Sequence, residues 1–382
     1  MNILFFGGHY WDRGPWFRKQ QFASRLSKRE HKVFYVEGSI SMLRKKATDK
    51  NKYFETDCKK VTENLFVITP SALFPFPKAR IIRKLYNKKL FMDITRIFNK
   101  YNVNEFLLWT NRIDFAANLL ESKNIKILDI CDDLPFYYKL AGDEKGYINT
   151  LKKFELAIKS ANIIIVSAQK IKEKYQHLTD TKIIVIPNGH NVNLNNMDHG
   201  IHQEIKRIPH PRIGFLGTLF KFIDEDLLEF LVKNRPNYNF IFVGPIEGNF
   251  SIEKLKKYSN VYLMGKKPKE IVHNYVNGFD IAINPFRVHE VNDSVSPVKV
   301  FEYLALNKAV ISTHMYSLMR EQIAKYIEFA YNYEDFLKML DLIVESKNYK
   351  NNISTEILMN YSWDGLFTRL IGEINKSHNF SL

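Results

Sequence analysis

Short runs of β-branched and aromatic residues alternate along this chain with longer segments whose apolar positions recur at helical spacing. In the first half, residues 2–7, 32–36, 65–69, 105–109, 126–130, 162–166 and 182–186 predict strands. Residues 16–28, 113–122 and 148–160 predict helices between them. Strands that are apolar almost throughout and separated by helices imply a parallel sheet covered on both faces. Pro187-Asn188-Gly189 ends the alternation. Residues 190–211, rich in Asn, His and Gly and without apolar period, read as an interdomain linker. The pattern then restarts, with strands at 212–216, 239–243, 260–264, 280–284 and 309–312 and helices at 224–233, 268–276, 297–306 and 333–345. Two runs of one unit predict an α/β protein of two doubly wound, Rossmann-like domains. Ligands of such sheets bind beyond the carboxyl ends of the strands, near the point where strand order reverses. The expectation is two domains facing each other across a ligand cleft.

Length agrees, since 382 residues exceed what one compact core usually holds. Two cysteines, Cys58 and Cys131, cannot build a disulfide framework, which points to a reducing compartment. Cys131, beside an apolar strand, reads as a small core residue. No apolar run approaches the roughly 18 residues of a membrane span, and Asp12 and Arg13 follow the first strand too closely for a signal peptide. A soluble, cytoplasmic protein is expected. The net charge of +15 needs a partner or an excuse, and the basic residues crowd between Pro77 and Phe91. There Ile81, Ile82 and Leu85 fall near helical spacing, with Arg83, Lys84 and Lys88 on the remaining surface. Such a helix could rest on an anionic bilayer, bind nucleic-acid phosphates, or be a solvated face.

Candidate chemistry sits where strands end. Gly7-Gly8 follows the first strand, and Gly14-Pro15 opens the next helix; this is either a tight turn or a loop that brings a ligand to backbone amides. The full dinucleotide fingerprint is absent. Gly214-Phe215-Leu216-Gly217-Thr218 repeats the logic, with Lys221 placed to meet a diphosphate or simply exposed. Asn284-Pro285-Phe286-Arg287 ends a buried strand, and Ser296 before Pro297 reads as helix cap and first helical residue. The amides of Ser294 to Val298 are then expected to face an anion. Lys299 and Glu302, three residues apart, share a helix side and suit a diphosphate and a ribose diol, or form a surface pair. Asp132-Asp133 after a strand could orient an acceptor hydroxyl, hold magnesium, or cap a helix; His9 is a similar candidate. No zinc spacing and no Ser/His/Asp set can be assembled.

The stretch Ser296 to Ser312 resembles the donor-binding signature of retaining bacterial glycosyltransferases of family four, in the branch with a Ser-Pro-x-Lys-x-x-Glu-Tyr-Leu-Ala pattern. Ile186-Pro187-Asn188-Gly189, Gly214-Phe215-Leu216-Gly217, Phe242-Val243-Gly244-Pro245, Leu263 to Pro268 and Tyr361-Ser362-Trp363-Asp364 resemble further parts of that family in the right order. The resemblance covers about 182–375 and implies a GT-B type fold. Residues 1–190 would form the acceptor-side domain, 191–211 the linker, 212–360 the nucleotide-sugar domain, and 361–382 a helix returning to the first domain. It implies that Glu302 binds the ribose and that Lys299, with the amides of Ser294, Val295 and Ser296, binds the diphosphate. Gly244, Pro245 and Lys266 would lie near the base, and Gly217 and Thr218 would border the donor; Gly7 and Gly8, outside the stretch that carries the resemblance, are donor-site candidates from their place after the first strand alone. Two positions depart from many relatives: Ser294 stands where an earlier glutamate is common, and Thr218 where an arginine is common.

The expected activity is metal-independent transfer of a sugar, with retention, from a UDP- or GDP-linked donor to a hydroxyl of a glycan or lipid-linked glycan in bacterial surface polysaccharide synthesis. Lys299, Lys221 and Glu302 would serve the donor and Asp132 the acceptor, without cofactor or metal. Contact with an anionic membrane at the inner face of the cell membrane is expected, and nucleic acid is not. The rival reading is a degenerate transferase acting as a binding protein, or a basic nucleic-acid binder.

Overall fold

The computed structural model describes residues 1–13, 16–38, 55–72, 80–113, 124–194, 200–248 and 250–377. The predicted helix at 113–122 beyond Ile113, the Gly14-Pro15 opening and Pro77 to Ala79 lie outside them. The chain forms two compact units. Met1–Val166, Lys172–Ile186 and Phe367–Leu382 make the first, and Ser167–Ile171 with Pro187–Leu366 the second.

The first unit's described strands are β1 (Asn2–Phe6), β2 (Lys32–Val36), β3 (Asp57–Thr62), β4 (Leu65–Thr69), β5 (Leu107–Thr110), β6 (Lys126–Ile130), β7 (Ile163–Val166) and β8 (Ile183–Val185). They form one sheet in the order β3-β4-β2-β1-β5-β6-β7-β8, parallel except for β3 against β4. Central strands such as β7, all isoleucine and valine, are buried throughout, as a sheet covered on both faces requires. β3, Asp-Cys-Lys-Lys-Val-Thr, is an exposed antiparallel edge with no alternating apolar signal, and sequence pattern does not predict it. The order reverses between β1 and β5.

The second unit carries β9 (Arg212–Leu216), β10 (Asn239–Val243), β11 (Val261–Gly265), β12 (Ile281–Asn284), β13 (Ala309–Thr313) and β14 (Glu328–Ala330). They pair in parallel as β11-β10-β9-β12-β13-β14, so the reversal falls between β9 and β12. The stretch expected as a linker belongs to this unit. Val192, Ile205 and Ile208 are buried in its core, and Gln203–Lys206 is a short helix. The final helix Trp363–Ser377 passes from the second unit to the first between Leu366 and Phe367.

The basic segment is a helix, Arg80–Lys100. Tyr86, Leu90, Ile94 and Phe98 bury one face under the first sheet. The opposite stripe exposes Lys84, Leu85, Lys88, Phe91, Met92 and Arg96 at helical spacing, with Leu85 62% and Phe91 44% accessible. Lys89 reaches Asp93 at 2.7 Å and Ser71 Oγ at 3.2 Å. The side chains of Arg80, Ile81 and Arg83 lie outside the described residues.

Candidate functional site

In the second unit the reversal point is built from the ends of β9, β10 and β12 and the helix Val298–Ala305. Val300, Phe301, Tyr303, Leu304 and Ala305 are buried, which turns Lys299 and Glu302 to the opposite side. Tyr303 fixes the helix to β9, because its hydroxyl accepts from Leu216 N at 2.7 Å and donates to Leu216 O at 3.3 Å. Tyr303 is a positioning residue that the motif contains but whose role the sequence does not reveal.

Gly217 follows Leu216 at φ +145, and a Cβ there would lie 2.6 Å from Lys299 Nζ. Gly244 has φ +146, and its Cβ would meet Gly217 O at 2.0 Å. Both conformations favour glycine. Their amides are engaged internally, Gly217 N by Val243 O at 2.8 Å and Gly244 N by Gly265 O at 2.9 Å. These glycines therefore provide room for Lys299 and not donors for a ligand, which corrects the reading of the glycine loops.

The Lys299 ammonium lies over the rings of Phe215 and Phe286, at 4.5 and 5.2 Å from their centroids. Among the described residues it has no hydrogen-bond or ion-pair partner, and neither has the Glu302 carboxylate. Both are half-buried. The protein around them disfavours charge, lowering Lys299 to about 8, a shift Glu302 opposes, and raising Glu302 to about 7, a shift Lys299 opposes.

The anion loop differs from expectation. The amides of Ser294 and Val295 bond to Val291 O and Asn292 O, closing the short helix Glu290–Asp293. Ser296 does not cap the next helix. Its hydroxyl accepts from Asn188 N at 2.9 Å and its carbonyl from Asn188 Nδ2 at 2.8 Å, and Pro297 takes the cap position. The amides of Ser296, Val298 and Lys299 make no hydrogen bond within the described residues. Thr218 is half-buried and makes none either, while Lys266 is exposed after β11, the neighbour of β10 that ends at Gly244-Pro245. Lys221 is exposed, with its ammonium 5.0 Å over Phe222 and its carbonyl accepting from Arg287 Nε at 3.3 Å. The structure thus gathers Gly217, Gly244 and Lys299 in direct contact, while the Lys221 ammonium lies over the ring of Phe222.

Gly7, Gly8 and Asp132 fall in the first unit. Both glycine amides bond to Val36 O at 3.1 Å, so they are not open to a ligand. The Asp132–Asp133 pair is divided. Asp133 accepts from Tyr175 Oη at 2.6 Å and Lys174 Nζ at 2.5 Å, while Asp132 lines a pocket and accepts from Tyr137 Oη at 3.2 Å. The surrounding walls push Asp132 upward, against the pull of Lys19. Cys131, expected in the core, lies in the same pocket wall with its thiol pushed up to about 12 by burial and Asp129. His9 stacks on Phe17 at 4.6 Å, and burial with Lys19 lowers it to about 4.

The fold has solved counterparts. A sucrose-phosphate synthase from Thermosynechococcus elongatus superposes with TM-score 0.68 and 12% identity over 98% of both chains. A trehalose-6-phosphate structure from Escherichia coli, bound with UDP-2-fluoro glucose, does so at 0.67 with 9% identity, over 98% of this chain and 99% of that one. A Rickettsia africae glycosyltransferase gives 0.61 with 16% identity over 98% of both. The fold is GT-B. By sequence, 122 residues are 32% identical to Bacillus subtilis TuaH, named as a teichuronic acid biosynthesis glycosyltransferase. That match spans about 30% of either chain, and no family model matches.

Proposed function

We propose that this protein is a glycosyltransferase that takes a nucleoside diphosphate sugar, UDP- or GDP-linked, at the β9/β12 reversal point of its second unit. The observation that carries this reading is Lys299, an ammonium without a hydrogen-bond or ion-pair partner among the described residues, seated where Gly217 leaves room. A diphosphate there would meet the ammonium and the amides of Ser296, Val298 and Lys299. These groups stabilise the negative charge that grows on the leaving diphosphate. Glu302 would accept from the ribose diol. This charge complement is the support for turnover without a divalent metal. Retention rests on the resemblance of the 296–312 stretch, and a surface-polysaccharide acceptor on TuaH.

Titration of the protein with UDP, GDP and their sugars across about pH 6–10 tests the site. A bound diphosphate favours charged Lys299, so affinity falls as pH rises through about 8, approaching about tenfold per unit. It rises from the acid side as Glu302 ionises near 7. Lys299→Arg should extend the alkaline limb, and Glu302→Gln should remove the acid one. Turnover of the bound sugar nucleotide should persist with chelator present. A flat profile in all three proteins, or no nucleotide bound, would sink the reading.

We also propose that the exposed stripe of Arg80–Lys100 rests on an anionic bilayer. Basic and apolar side chains share that stripe, and each Lys or Arg near such a surface contributes about 1 kcal/mol. No described helix is long and apolar enough to cross a membrane. Lys84→Glu, Lys88→Glu and Phe91→Ser combined should abolish binding to phosphatidylglycerol vesicles and leave nucleotide affinity unchanged. Equal vesicle binding would show the stripe to be a solvated face.

A further inference from the structure

The amino ends of β9, β12 and β13 in the second unit border a pocket of about 470 Å³. The size lies within the ~300–1,000 Å³ of small-ligand sites. Phe279, Leu306 and Ile201 give it apolar wall, and Arg212, Asp280 and Lys308, each at the start of a strand, give it charge. None of them belongs to the proposed donor site, which lies at the carboxyl ends of the same strands.

Lys308 is fixed at both ends. Its backbone N donates to Tyr303 O at 3.0 Å, and its carbonyl accepts from Asn351 Nδ2 at 3.0 Å. Its Nζ donates to Asn277 O at 2.7 Å and to Phe279 O at 3.0 Å. A neutral amine has two N–H bonds and one lone pair. The two carbonyls take both N–H bonds, so the lone pair is held away from them, and the pocket is the space beside it. Burial lowers the ammonium to about 8, a shift that Asp280 opposes and Lys350 reinforces. The remaining titratable groups of the wall are engaged or stay protonated. His210 Nδ1 and Arg212 N each meet Asp280 Oδ2 at 2.7 Å. The Arg212 guanidinium donates to Ile208 O at 2.7 Å and Lys206 O at 3.1 Å, and burial pushes the Tyr349 hydroxyl upward.

We infer that Lys308 is a nucleophilic lysine, acylated in this pocket by an activated acyl group carried on phosphate. The amine nitrogen attacks the acyl carbon, and the C–N bond forms as the C–O bond to phosphate breaks. The phosphate departs with the electron pair, and the nitrogen gives up one proton to water. Lys350, exposed on the pocket wall, favours an anionic donor over a neutral one. The amide product keeps one N–H, so either Asn277 O or Phe279 O loses its donor. The site stands apart from the transferase reading, since it shares no residue with the donor site.

The test is acetylation of the full-length protein by acetyl phosphate, with the rate at each lysine read by peptide mass spectrometry. At pH 7 an amine at about 8 is neutral about 300-fold more often than an ordinary lysine at 10.5. A weaker base is also a weaker nucleophile, which leaves about a tenfold gain in rate. Lys308 should therefore react about tenfold faster than the exposed Lys84 and Lys88, and its rate should level off above about pH 8. Unfolding in urea should abolish that lead, because the fold makes it. Lys350→Gln should slow Lys308 by about 3-fold with acetyl phosphate and less with neutral p-nitrophenyl acetate. Lys308 reacting no faster than Lys84 and Lys88, a lead that survives urea, or a rate that climbs unbroken past about pH 9 overturns the inference. Equal slowing with both acetyl donors overturns the assignment of a phosphate-borne donor.

Discussion

Lys299→Ala is expected to lower transferase turnover by about 100- to 1000-fold, the usual effect of removing one preorganised donor from a developing negative charge. The loss should appear without unfolding, because the ammonium makes no hydrogen bond or ion pair within the described residues. Stability should even rise slightly. The folded state holds Lys299 at about 8, below its ordinary 10.5, so below pH 8 charging it opposes folding, and that penalty disappears only above 10.5. Lys221→Ala, beside it in the sequence argument, should change turnover at least about tenfold less than Lys299→Ala, since its ammonium lies over Phe222 and its carbonyl meets Arg287. Rates and thermal midpoints of the two variants side by side decide it. Turnover within a few-fold of the parent in Lys299→Ala would mean that the diphosphate is held elsewhere.

Arg18→Met should destabilise the first unit by about 3–5 kcal/mol, because it leaves a buried carboxylate without its cation. Arg18 Nε lies 2.9 and 3.2 Å from the two oxygens of Asp129, and both side chains are at most 2% exposed. The same guanidinium donates to Ile186 O at 2.6 Å, where the chain leaves the first unit. At ~2–4 °C per kcal/mol for a domain of this size, the midpoint of that unit should fall by ~6–20 °C. Arg18→Met with Asp129→Leu should recover most of the loss, since an apolar pair of similar volume removes the unpaired charge. Differential scanning calorimetry resolves the two units, and a fall below about 2 °C would show that the pair contributes nothing net.

The alternation of apolar strands and helices predicts both sheets, because a parallel strand buried on both faces must be apolar at nearly every position, as β1, β7 and β12 are. β3 and β14 escape that logic. One is a polar edge, and the other is only three residues long. The linker expected at 190–211 fails for a related reason: Val192, Ile205 and Ile208 are too widely spaced to show a period, yet each fills the second core.

The sequence by itself determined two doubly wound domains, and it determined that Lys299 and Glu302 share one side of a helix opening after a buried strand, because spacing along a helix is a local property. The tertiary structure alone decided which groups remain available to a ligand. Glycines at strand ends look like amide donors in sequence, but Val36, Val243 and Gly265 from neighbouring strands take those amides, so the glycines of the second unit serve Lys299 by lacking a Cβ. Ser296 looks like a helix cap until Asn188, more than a hundred residues away, claims its hydroxyl. Asp132 and Asp133 look like one pair until Tyr175 and Lys174 take the second, leaving the first in a pocket with Lys19, Arg112 and Lys153. Hydrogen-bond partners across a fold are set by strand order and packing, which no local spacing encodes.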